Sequence, residues 1–151
     1  MVTDSRAKGA RAETAVRDKM RELTGLNWER VPSSGALDPK HGLKGALYLV
    51  NEKNLYCVEV KHYENDNLTS TVLTASSPNL ITWWSQAVRQ GDQVGKLPLL
   101  IFKHDRSKIF CAFEFEPTGL YDHFRICAKD HYFSVCLLED FIEHEKPKFI
   151  A

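Results

Sequence analysis

Glu59-Val60-Lys61 closes an apolar run that begins Leu55-Tyr56-Cys57-Val58. Side chains alternate across a strand, so Glu59 and Lys61 share one face, about 6–7 Å apart along it. A half-buried strand ordinarily places apolar residues at inward positions. A carboxylate and an ammonium there can instead hold a divalent cation and stabilise charge developing on a phosphate. A solvent-facing Glu/Lys pair has the same spacing, so the spacing alone leaves both readings open.

Three further features bear on that chemistry. Glu13 sits close to the apolar positions Ala12, Val16, Met20 and Leu23 of an opening helix. A carboxylate aimed at a sheet is costly unless it meets a cation or a hydrogen-bond donor; the alternative is an exposed pair with Arg17 one turn later. Trp83-Trp84-Ser85-Gln86-Ala87-Val88-Arg89 places Gln86 and Arg89 on similar faces of a later helix, with a plain surface glutamine as the alternative. Trp84 reads as core. His62 follows Lys61 directly, and alternation predicts that it points away from Lys61's site.

The ordered set Glu13, then Arg30 to Gly35 with Val31-Pro32-Ser33-Ser34-Gly35, then Lys44-Gly45-Ala46-Leu47-Tyr48-Leu49-Val50, then Glu59-Val60-Lys61 resembles the PD-(D/E)XK nucleases. Within them it is similar to the archaeal-type Holliday-junction resolvases and their phage relatives, over roughly the first two-thirds of the chain. The resemblance implies a restriction-endonuclease-like α/β core, a central mixed sheet flanked by helices. It implies Mg²⁺ or Mn²⁺ held at Glu13, position 46, Glu59 and Val60, with Lys61 and Gln86 completing the catalytic set. The departure is Ala46, where the family has its first metal-binding Asp. Either Ala46 is a substitution that disables the site, or Asp38 takes the role from the preceding loop.

The elements that must position these residues are legible. Apolar spacing predicts a helix over 5–24 ended by Gly25. A short strand over 27–31 stops at Pro32, with a turn and a loop to 42. Residues 43–50 and 55–61 read as an antiparallel hairpin across Asn51-Glu52-Lys53-Asn54. Residues 62–77 read as a polar loop, 78–94 as a helix ended by Gly95, and 97–102 and 108–115 as strands. Residues 124–128 and 131–136 suggest a last hairpin, and 137–144 a short helix.

At 151 residues, with 43% hydrophobic and 26% charged, the chain fits one soluble domain, 1–151. No apolar run reaches membrane-spanning length, and the first residues lack the apolar core of a secretion signal, so a cytoplasmic protein of a bacterial, phage or archaeal DNA-processing system is expected. Cys57, Cys111, Cys127 and Cys136 form no CxxC pair and read as reduced thiols rather than a zinc site. The formal net charge is zero, which argues against a nonspecific nucleic-acid coat protein but permits a locally basic cleft. Candidate phosphate contacts are Arg6, Lys8, Arg11, Arg30, Ser33, Ser34, Lys40, His41, Lys44 and Arg89.

Three functions follow as expectations. The first is a Mg²⁺-dependent endonuclease acting on branched DNA; two symmetric cuts imply a homodimer or a higher homo-oligomer. The second is a site-specific homing or nicking endonuclease of the same fold, reading duplex DNA through loops 36–42 and 62–77. The third, favoured by Ala46, is a catalytically inactive DNA-binding module.

Overall fold

The computed structural model describes residues 5–32 and 44–151, with side chains from Lys8 onward. Seven strands form one mixed sheet in the order β1-β2-β3-β4-β5-β7-β6. Helix α1 is Ser5–Thr24, followed by β1 (Trp28–Arg30), β2 (Leu47–Leu49) and β3 (Tyr56–Tyr63). A short α2 (Thr71–Thr74) precedes α3 (Asn79–Val94), and then come β4 (Leu97–His104), β5 (Phe110–Phe113), β6 (Phe124–Ala128) and β7 (His131–Leu137). The chain closes with a helical turn, Leu138–Asp140, that widens into a π-helical Phe141–Glu145.

Alternation along β3 assigns the two faces of the sheet. Tyr56, Val58 and Val60 pack in one apolar cluster with Val16 and Met20 of α1. Leu100, Phe102, Ala112, Phe133 and Val135 pack in a second cluster with Leu80, Trp83, Trp84 and Ala87 of α3. Each large side chain taken from water here contributes about 1.5–3 kcal/mol, so α1 and α3 are pinned to opposite faces. Trp84 stacks on Phe133 at 4.8 Å between ring centres, and Tyr63 lies 4.6 Å from Trp83. These ring contacts fix the rotation of α3 about its own axis.

The expected hairpin is present, but β2 is shorter than its apolar run. Its only register pair with β3 is Leu47↔Val58. Two local causes act. Asn54 folds its side chain back, accepting the Leu49 N–H at 2.7 Å and donating to the Leu49 carbonyl at 2.9 Å, so an amide occupies the place of a partner strand. At the other end, Gly45 adopts φ +86°, and a Cβ there would lie 2.4 Å from the Val58 carbonyl oxygen. Only glycine fits that approach.

The crossover from β3 through α3 to β4 makes β3 and β4 parallel over eight register pairs, Tyr56↔Leu97 to Tyr63↔His104. Both strands therefore run two residues beyond their expected ends. The segment 62–77 is not all loop, because Thr71–Thr74 forms a helical turn that buries Val72. Gly95, with φ +66°, ends α3 as expected. Cys57, Cys111 and Cys136 are buried free thiols, whereas Cys127 is exposed on β6. Among the described residues no helix is long and apolar enough to cross a membrane.

Candidate active site

The site lies where β2 ends and β3 continues. Past Val58, residues 59–63 have β4 on one side and, among the described residues, no strand on the other. The Ala46 N–H donates to the Val58 carbonyl at 2.6 Å, so that carbonyl faces β2. Val60, two residues on, presents its polar groups to the same side. Its N–H bonds the Glu59 carboxylate at 3.2 Å instead of a strand partner. The Val60 carbonyl therefore points toward the edge of β3 that has no strand beside it among the described residues.

A cleft of about 550 Å³ at this edge is lined by Lys8, Glu13, Glu59, Val60, Lys61 and His62, among others. Glu13 arrives from α1, the rest of the carboxylate–ammonium set from β3. Glu59 is only 9% exposed, a rare environment for a carboxylate. Burial raises its pKa, as does the like charge of Glu13; the Lys61 ammonium, the Val60 N–H and a hydrogen bond from Gln90 oppose the rise. Glu13 and Glu59 line the same cleft. Gln90, one helical turn beyond Gln86, thus donates its amide to Glu59, while its own Oε1 is buried and lacks a hydrogen-bond partner.

Glu13 is held by Arg30 of β1, with Nε to Oε2 at 3.0 Å. It does not pair with Arg17. The Arg17 guanidinium instead meets Asp18 and Glu29, each at 3.1 Å. Ala46 is 4% exposed, belongs to the apolar cluster on the α1 face, and its backbone ties β1 to β3 through the Val31 N–H. A methyl group supplies no ligand. The proposed ligand at position 46 is thus missing, and the alternative, Asp38, lies outside the described residues. So do Ser33, Ser34, Lys40 and His41, and the side chain of Arg6.

The oxygen donors present are the Glu59 carboxylate, the Val60 carbonyl and the Glu13 carboxylate in its pair with Arg30. Hard oxygen donors of this kind suit Mg²⁺ or Mn²⁺, and Mg²⁺ commonly uses one or two carboxylates with several waters. The unsatisfied Gln90 Oε1 is a further acceptor at the edge of the set. The residues fit a divalent cation, one carboxylate short of what Asp at position 46 would supply.

From this cleft a second cavity, of about 660 Å³, continues between α1 and the ends of β3 and β4. Lys8, Arg11, Lys19, Lys61, His62 and Lys103 line it. A third follows, lined by Lys19 and Lys108 beside Glu139. A chain of zero formal charge thus concentrates cations along one groove, which focuses positive potential where an anionic polymer could lie. Lys44 is half-buried and lines none of these cavities.

A family model described as "Phage putative PDDEXK endonuclease" matches residues 4–146. Protein D14 of Escherichia phage T5 is 47% identical over 117 residues, covering 76% of this chain and 73% of that protein. The chain belongs to the phage PDDEXK endonuclease family.

In this PDDEXK endonuclease-family chain three placements differ from what spacing predicts. Gln86 lines a groove with Ser85 and Arg89, and Gln90, one turn further along α3, is the glutamine that bonds Glu59. His62 is on the α1 face as alternation requires, yet it still reaches the cleft, because the cleft wraps the open edge of β3. Its Nε2 lies 2.7 Å from Asp105 Oδ1 beyond the end of β4. Lys19, His62 and Lys103 were not singled out as phosphate contacts in the sequence. The signal was available for Lys19, which shares a helix with Lys8 and Arg11 at helical spacing, whereas Lys103 arrives opposite His62 only through the parallel pairing.

Proposed function

We propose that this chain is built to hydrolyse phosphodiester bonds of DNA with a divalent metal at the cleft of Glu13, Glu59, Val60 and Lys61. The observation that carries this reading is the cleft itself: a buried carboxylate, a second carboxylate and an ammonium at an open strand edge, at the mouth of a cationic groove. Bound Mg²⁺ or Mn²⁺ would supply Lewis acidity and a water of lowered pKa. The protein's own part is positional. Glu59 is oriented by the Val60 N–H and Gln90, and Glu13 by Arg30. Lys61 stands two residues from Glu59 on its face, where its ammonium can stabilise charge gathering on a phosphate oxygen. The groove lined by Lys8, Arg11, Lys19 and Lys103 would hold the backbone of the bound strand.

Branched DNA of the four-way type is the substrate we favour, cut symmetrically by a homodimer. A site-specific homing or nicking enzyme is the alternative within the same chemistry. Ala46 favours a second reading, a DNA-binding module that has lost turnover, and on either account the chain with Ala46 should cut poorly.

A four-way junction and a linear duplex library, incubated with Mg²⁺ and either the native chain or Ala46→Asp, separate these readings. Nicking of the junction by Ala46→Asp supports the resolvase reading, and sequence-specific cuts in the library support the alternative. Tight binding with no cuts by a folded Ala46→Asp would favour the module.

A further inference from the structure

The groove that receives Gln86 is a second place where cations gather. It has a volume of about 330 Å³ and is lined by Thr82, Ser85, Gln86 and Arg89 of α3 and by Lys129 and His131 of the β6–β7 turn, among others. No carboxylate lines it. Five cations elsewhere are held in ion pairs: Arg17 by Asp18 and Glu29, Arg21 by Glu29, Arg30 by Glu13, Lys19 by Glu22, Lys108 by Glu139. Among the described residues Arg89, Lys129 and His131 enter no ion pair; Lys129 makes one long hydrogen bond, 3.5 Å, to the Leu73 carbonyl. Arg89 and Lys129 thus meet at a groove whose lining holds no carboxylate, and an anion bound there would offset their repulsion.

The presentation of Lys129 points the same way. The two-residue turn Lys129-Asp130 has φ +51° and +64°, and its flanking pair is Ala128↔His131. Turns of this kind favour Asn-Gly, and non-glycine residues with positive φ carry a conformational cost. Here the turn sets Lys129 and His131 beside Thr82, Ser85 and Arg89 of α3.

This groove and the first cationic groove lie on opposite faces of the sheet. The first runs beneath α1, beside Val60 and His62; the second lies where α3 meets the β6–β7 turn, and α3 packs on the face opposite α1. A straight duplex lying along the α1 face cannot also reach it. Resting on the nuclease reading above, we infer that the groove of Arg89, Lys129 and His131 binds the phosphate backbone of a second DNA arm. The hydroxyls of Thr82 and Ser85 and the Gln86 amide supply neutral donors beside the cations, a combination suited to phosphate oxygens.

The test is binding without divalent metal, at several salt concentrations, of a four-way junction and a linear duplex of equal length. The proteins are the native chain, Arg89→Ala/Lys129→Ala/His131→Ala, the charge reversal Arg89→Glu, and Lys8→Ala/Arg11→Ala. All the substituted side chains are exposed or half-buried, and matched thermal midpoints establish folding.

The native chain should prefer the junction about tenfold. The triple variant should lose that preference while keeping its duplex affinity, and its log K–log salt slope for the junction should flatten by about 2. Arg89→Glu should show the same selective loss. Lys8→Ala/Arg11→Ala should weaken both substrates. Unchanged junction preference in the triple variant, or equal losses on both substrates, overturns the second-arm site. Failure of Lys8→Ala/Arg11→Ala to weaken duplex binding counts instead against the first groove and the nuclease reading.

Discussion

Arg30 Nε lies 3.0 Å from Glu13 Oε2, joining β1 to α1 at the edge of the candidate cleft. The pair is partly open to solvent, so its contribution to stability is small, below about 1 kcal/mol. Its effect on ligands is larger, because the guanidinium offsets the charge of a carboxylate that a cation could use. Arg30→Ala should bind Mn²⁺ more tightly, by roughly fivefold on simple Coulomb grounds, and DNA more weakly. Titration by calorimetry and by fluorescence anisotropy reads the two. Equal weakening of both ligands would show that Glu13 needs Arg30 to face the cleft at all.

Gly45→Ala should be severely destabilising. The residue holds φ +86°, and an added Cβ would press the Val58 carbonyl at 2.4 Å. Backbone must shift at the junction of β2 and β3, which carries position 46. We expect a loss of at least about 2 kcal/mol in urea unfolding, together with loss of DNA binding at the first groove. A neutral result would mean that β2 enters the sheet by another path.

Glu59 sets a pH dependence. Burial raises its pKa in the folded state, so the native chain binds the proton more tightly than the unfolded chain. The favourable contribution is full below the ordinary carboxylate pKa and is lost as pH rises through the raised value. At neutral pH without divalent ions, Glu59→Gln should therefore raise the thermal midpoint by a few degrees, on the order of 3 °C. That advantage should vanish in acid. Mn²⁺ at a hundred times its Kd should stabilise the native chain by about 2.7 kcal/mol and leave Glu59→Gln unmoved. Scanning calorimetry across pH checks both halves.

Much of this site was legible in the sequence because its key residues are local in the chain. Glu59 and Lys61 are fixed by strand alternation, and the helix bearing Glu13 by its apolar stripe. The glutamine was misplaced by one turn. Gln86 and Gln90 share a face of α3, so the choice between them depends on where Trp83 and Trp84 seat α3 along its axis against Tyr63, Phe102 and Phe133, a placement that spacing does not contain. The short β2 was also hidden, because an Asn54 side chain stands in for backbone. The cationic groove was half visible: Lys8 and Arg11 lie on α1, whereas Lys103 joins them only through the parallel pairing of β3 with β4.

That correction carries its own test. In an Ala46→Asp background, Gln90→Leu should slow cleavage at least about tenfold, as expected of a residue that orients a metal-site carboxylate. Gln86→Leu should leave the chemical step unchanged under single-turnover conditions. If Gln86→Leu is the slower of the two, the assignment of Gln90 is wrong.

The most direct measurement concerns the cleft as a whole. Ala46→Asp and Ala46→Asp/Glu59→Gln are incubated with a labelled four-way junction in Mg²⁺ and in EDTA, and strand cleavage is followed on a denaturing gel. The account predicts Mg²⁺-dependent cuts by Ala46→Asp and none by the double variant. Folded Ala46→Asp that cuts neither this junction nor linear duplex, or a double variant that cuts as fast, would contradict it.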